Sequence, residues 1–144
     1  MTNWTLAIIE SPYGGTPSVQ QRNIRYLRAC MNWCVNHGYS PYASHAQLTQ
    51  PGVLRDEDPD ERRKGIDAGL AWKRVADTTL FFLDRGRTPG MNKAMALCRS
   101  AGLDYDTVSI GPNWEQEWLD RVSVAQSMAW TDRMMDAGLL LDKE

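Results

Sequence analysis

Three side chains in this sequence could act on a small organic molecule: the phenol of Tyr13, the imidazole of His45 and the carboxylate of Asp84. Each follows a short apolar segment. Leu6-Ala7-Ile8-Ile9 runs through Glu10 into Ser11-Pro12-Tyr13-Gly14-Gly15, Tyr39-Ser40-Pro41-Tyr42-Ala43-Ser44 runs into His45, and Thr78-Thr79-Leu80-Phe81-Phe82-Leu83 runs into Asp84-Arg85. A phenol and an imidazole hold a ring by stacking and hydrogen bonding; an imidazole or a carboxylate can also accept a proton as a general base. Helix starts stand beside two of them, Thr16-Pro17 and Thr88-Pro89-Gly90-Met91-Asn92, each with an N-cap hydroxyl followed by proline at the first helical position. The positive end of a helix attracts a negatively charged group. Ser11, Pro12, Gly14, Gly15, Arg85, Thr88, Gly90, Met91 and Asn92 are therefore candidate ligand contacts around Tyr13, His45 and Asp84. The set suits a small polar ligand that carries a ring and an anionic group.

The elements that must position these residues alternate. Strands are expected near residues 4–10, 40–44, 78–84 and 107–110, and helices near 17–37, 58–76, 88–100 and 114–138. On the first helix Val19, Ile24, Leu27, Met31, Cys34 and Val35 mark the apolar side, and on the second Ile66, Leu70 and Val75. Pro41 places the second strand at a sheet edge. Gly65 and Gly69, one turn apart, would let another element approach the second helix. Strand–helix alternation calls for right-handed crossovers and an α/β fold: a Rossmann-like or flavodoxin-like three-layer sandwich with a mostly parallel sheet of about four strands, plus C-terminal helices. The carboxyl ends of its strands share one rim. With the first and third strands as neighbours, the loops after them flank the switch point where ligands sit. The C-terminal stripe of Trp114, Trp118, Leu119, Val122, Met128, Trp130 and Met134 reads as core.

Bulk properties narrow the partners. The 144 residues fit one domain, read as 1–144 with a helical extension over 112–144. A net charge of −2 argues against duplex nucleic acid. Three cysteines, an odd number, argue for a reducing compartment, and no leader or membrane-spanning run is visible, so a cytoplasmic location is expected. Cys30 and Cys34 share a helix face without a histidine to complete a zinc set, so they read as buried thiols, with no metal or cofactor expected. No serine or cysteine stands at a spacing that would pair it with His45 as a nucleophile. Two acids keep two roles each. Glu61 either completes a capping box with Asp58 or turns to the ligand; Asp84 either works on the ligand, or caps a loop or pairs with Arg85 or Arg87. Arg62-Arg63-Lys64 reads as a solvated helix face, and Asn113 with Gln116 as a further capping box.

Ser-Pro-Tyr-x-Gly after the first strand, Ser-His after the second, Asp-Pro-x-Glu-Arg opening the second helix and Gly-Met opening the third together resemble the nucleoside 2-deoxyribosyltransferase-like superfamily. More narrowly, the pattern resembles small members often encoded by bacteriophages, and the likeness spans roughly residues 5–110. It implies a nucleoside or nucleotide as ligand and, in active relatives, cleavage of the N-glycosidic bond. There a glutamate on the Gly-Met helix attacks the anomeric carbon, an aspartate near the base handles the proton, and an aromatic residue near the first strand holds the ligand. Asp84 and Tyr13 match the last two. The nucleophile has no counterpart, because Asn92, Lys93, Ala94 and Met95 follow Gly90-Met91. Covalent attack needs an ionised carboxylate in range, which an amide cannot replace.

Three functions follow as expectations: a deoxyribosyltransferase or nucleotide N-glycosidase working through Asp84, Tyr13 and His45; a module that binds, sequesters or senses a nucleotide without cleaving it; or an interaction protein built around its C-terminal helices. A homo-oligomer is expected, because folds of this kind often complete sites across subunits.

Overall fold

The computed structural model describes residues 3–138. Its chain order is β1 (Thr5–Glu10), α1 (Pro17–Asn36), β2 (Tyr39–Tyr42), α2 (Ser44–Gln47), α3 (Pro59–Val75), β3 (Thr78–Phe82), α4 (Pro89–Ala101), β4 (Tyr105–Val108), α5 (Trp114–Arg121) and α6 (Val124–Asp136). The four strands form one all-parallel sheet in the order β2-β1-β3-β4, so β1 and β3 are neighbours and the proline-bearing β2 lies at an edge. This is the α/β sandwich expected from the alternation of apolar runs and helix starts.

Side chains of successive strand residues point to opposite faces, and the helices divide accordingly. Ala7, Ile9, Leu80 and Phe82 pack with Tyr26, Leu27, Cys30 and Cys34 of α1 and Trp114 of α5. Phe81 turns the other way, onto Met91, Met95 and Cys98 of α4. Burying a side chain such as Phe81 is worth about 1.5–3 kcal/mol, so the wholly buried β3 anchors both layers. The three cysteines are free and buried, as their place in the core requires.

Helix starts obey their caps. Thr16, Asp58 and Thr88 each accept a backbone N–H of the first turn, and proline follows each one. Gly15 cannot be replaced cheaply: its φ is +134°, and a Cβ there would lie 2.8 Å from Val19 Cγ1.

Several expectations need correction. The inward side of α1 is Asn23, Tyr26, Leu27, Cys30 and Cys34, whereas Val19 and Val35 are exposed. On α3 the inward residues are Gly69 and Lys73, and Ile66 and Val75 face solvent. The fourth strand ends at Val108, two residues earlier than expected, because the next backbone N–H groups turn away to another partner described below. The connection after β2 is not wholly irregular, since α2 begins at Ser44. Asn113 makes no side-chain cap, and Gln116 bonds Asp120 instead. Of the C-terminal stripe only Trp114 is core; Leu119 and Met128 are exposed. α6 nevertheless leans on α1, with the Arg28 guanidinium 4.3 Å from the Trp130 ring centroid.

Candidate functional site

Parallel strands bring the loops after β1, β2 and β3 to one rim, and with them Tyr13, His45 and Asp84. The order β2-β1-β3-β4 opens its switch point between β1 and β3. The rim has two halves of different character.

The half under α2 and α3 holds Ser11, Tyr13 and His45. His45 sits not at the end of β2 but in the single turn of α2, which Gly69 of α3 admits at close range. A Cβ on Gly69 would stand 2.9 Å from Ser44 Oγ. From there His45 Nε2 meets the buried Ser11 Oγ at 3.2 Å. Spacing along the chain gave no sign of this serine–imidazole pair, because 34 residues separate its members. The Tyr13 ring stands edge-on to the imidazole, centroids 5.6 Å apart. His45 Nδ1 is buried and has no partner among the described residues. Burial holds the His45 imidazole in its neutral form below the usual histidine range, with Glu10 opposing that shift and Lys73 adding to it. Lys73 itself, 6% exposed at its side chain, donates to Glu10 Oε1 at the end of β1.

The half under α1 is built around Asp84. Its Oδ1 accepts from Tyr26 Oη at 2.6 Å, both oxygens accept from Ile110 N at 3.0 Å, and Oδ2 accepts from Gly111 N at 3.0 Å. Tyr26 Oη in turn accepts from Asp84 N at 2.9 Å, and burial pushes the phenol far above its usual range, so it stays a donor. Of the two roles open to Asp84, these are the bonds of a loop-tying acid. It joins β3, α1 and the β4–α5 connection. Asn23, 2% exposed, does similar work: Nδ2 donates to the Gly14 carbonyl at 3.2 Å, and Oδ1 accepts from Arg85 Nε at 2.8 Å. One amide thus ties the β1–α1 loop to the β3–α4 loop.

The other expected contacts disperse. Pro12 is buried in the loop after β1, and Gly14 and Gly15 are exposed. Thr88 Oγ1 is spent on the Met91 N–H. The Met91 side chain lies in the core beside Phe81, while Gly90 and Asn92 are exposed. Glu61 does not complete a capping box; its Oε2 accepts from Arg55 N and Nε at 3.0 Å each. Arg62 and Arg63 pair with Asp56 and Asp60 on the exposed face. A separate cleft of about 170 Å³ between α1 and α5, lined by Trp33, His37, Trp114 and Trp118, lies off this rim and is smaller than most small-molecule pockets. Among the described residues no cluster of acids, histidines or cysteines could hold a metal ion, and no helix is long and apolar enough to cross a membrane.

Comparison with known proteins gives one match. The model of a family described as a domain of unknown function, DUF7768, covers residues 5–108. Neither the curated proteins nor the solved structures yield a match. The matched span ends with β4, so α5 and α6 lie outside it.

Proposed function

For this chain, which belongs to the DUF7768 family of unknown function, we propose the role of a module that binds a nucleoside or nucleotide and releases it unchanged. The observation that carries this reading is the rim at the β1/β3 switch point. There an aromatic ring, Tyr13, adjoins an imidazole, His45, whose hydrogen-bonding capacity the described residues only half use. The Tyr13 ring offers a face for a base. The Ser11–His45 pair offers a donor and an acceptor, in either tautomer, for its polar edge.

Carboxylate chemistry has little to work with here. Asp84 is saturated by protein donors, Glu10 is paired with Lys73, and Glu61 is paired with Arg55. The first turn of α4 supplies only Gly90, Met91, Asn92 and Lys93. The nucleoside class itself rests on the motif likeness described above.

Isothermal titration with deoxynucleosides and their monophosphates tests this, with mass spectrometry of the ligand afterwards. Intact ligand is expected, and His45→Ala is expected to weaken binding about tenfold, the scale of one lost hydrogen bond. Free base in the mixture overturns the reading in favour of an N-glycosidase. One arrangement favours that second reading: burial disfavours the charged form of His45 and its Nε2 meets a hydroxyl, as a general base requires.

A further inference from the structure

Three arginines gather where the rim meets the start of α1. Arg22 Nε and an Arg25 terminal nitrogen approach the same oxygen, Glu115 Oε2, at 2.9 and 3.5 Å. Arg85, in the loop between β3 and α4, is held by the buried Asn23, which also holds the loop carrying Tyr13. Arg22 and Arg25 share the one carboxylate of Glu115 while Arg85 bonds only a neutral amide, so three guanidiniums are paired with a single carboxylate charge in a chain whose net charge is −2. Arg22 and Arg25 keep 47% and 34% of their side-chain surface exposed, so a solute can reach them.

We propose that Arg22, Arg25 and Arg85 form a subsite for a phosphate monoester, in which Glu115 is the anion that holds the arginines ready. A phosphate monoester carries about −1.5 to −2 charges near neutral pH and presents three acceptor oxygens, matching the positive charge of the arginines and their forked donors. Arginine recognises such a group in a planar, two-pronged geometry that lysine cannot reproduce. The electrostatics agree. The charge on Arg85 is disfavoured first by burial and then by Arg22 and Arg25, with Glu115 opposing. Burial works against the Glu115 carboxylate, but its bonds to Arg22 and Arg25 outweigh that and hold it below the usual range. The alternative is packing alone, since Arg22 also lies 5.6 Å from the Trp114 ring and could simply dock α5.

That the phosphate belongs to a nucleotide rests on the binding reading above; the subsite itself does not. Three probes separate them: inorganic phosphate, a deoxynucleoside, and its 5′-monophosphate. The monophosphate is expected to bind at least tenfold more tightly than the nucleoside. Arg85→Gln should remove most of that difference, lowering monophosphate affinity far more than nucleoside affinity. Glu115→Gln separates ligand binding from packing: as a subsite the cluster gains phosphate affinity when its resident anion is neutralised, whereas a packing device gains none. Equal affinity for nucleoside and monophosphate, or no gain in Glu115→Gln, overturns the proposal and leaves the nucleoside reading standing. Phosphate binding that Arg85→Gln abolishes, without any nucleoside binding, supports the subsite and overturns the nucleoside reading. Where Arg85→Gln unfolds the chain, Arg25→Gln gives the same comparison.

Discussion

The two halves of the rim differ in how completely the protein satisfies its own polar groups. Under α1, Asp84 and Tyr26 bond each other and the backbone of Ile110 and Gly111, and Asn23 separately ties Gly14 to Arg85, so the Asp84 oxygens, the Tyr26 hydroxyl and the Asn23 amide are all bonded within the chain. Under α3, a buried ion pair sits beside an imidazole with one nitrogen unpaired among the described residues. A saturated network fixes geometry and has nothing left to offer a ligand. An unsatisfied group keeps free energy that a ligand can recover, because an unmade buried hydrogen bond costs about 1–3 kcal/mol. The difference assigns scaffold work to the bonds around Asp84 and recognition of a base to the α3 half, while the exposed arginines of α1 stand outside those bonds.

The most damaging way to probe this contrast is to break the ion pair. Lys73→Met leaves the Glu10 carboxylate without its partner in a largely dry setting, and a loss of about 3–5 kcal/mol is expected in urea unfolding. Adding Glu10→Gln should restore much of it, since two neutral groups need no partner. If the double variant is as unstable as the single, the pair matters for its shape and not its charge, and the contrast loses its electrostatic basis.

Next in size is Asp84→Asn. An amide keeps one acceptor but turns a donor toward Ile110 N and Gly111 N, where both oxygens now accept. A loss of about 2–3 kcal/mol is expected, with ligand affinity changed no more than a few-fold in the folded protein. Lost binding with unchanged stability would reverse the assignment and make Asp84 a working residue.

Much of this architecture was legible in the sequence. Four apolar runs, three proline-led helix starts and a proline in the edge strand follow from local chemistry, which a single chain segment carries by itself. What escaped was decided by partners far away in sequence. Asn23, Tyr26 and Lys73 look like ordinary helix residues until Gly14, Asp84 and Glu10 are placed against them, up to 63 residues distant. A trace did exist for α1: Asn23, Tyr26, Leu27, Cys30 and Cys34 recur at helical spacing, so a polar residue on that stripe was a candidate for a buried contact. α2 escaped because four residues carry no periodicity. Its place beside α3 was signalled only by Gly69, where a missing side chain marks the close approach.

The smallest expected effect separates the halves by pH. The His45 imidazole is held below its usual range in the folded chain, so the unfolded chain, titrating near 6.5, takes up that proton first as pH falls. Its contribution to stability is therefore complete above about pH 6.5 and is lost as pH drops through the lower folded value. His45→Gln should flatten the urea midpoint between pH 7.5 and 5.5, where the wild-type midpoint declines. The α1 half of the rim holds no histidine, so Asp84→Asn should shift the whole curve downward without changing its slope in that window. A wild-type slope that survives His45→Gln would place the titrating group elsewhere and remove the unsatisfied imidazole as the mark of the recognition half. A ligand that binds His45 gives the same test from the other side: at saturation the wild-type slope should steepen, because the unfolded chain still takes up the proton and the occupied site resists it more strongly.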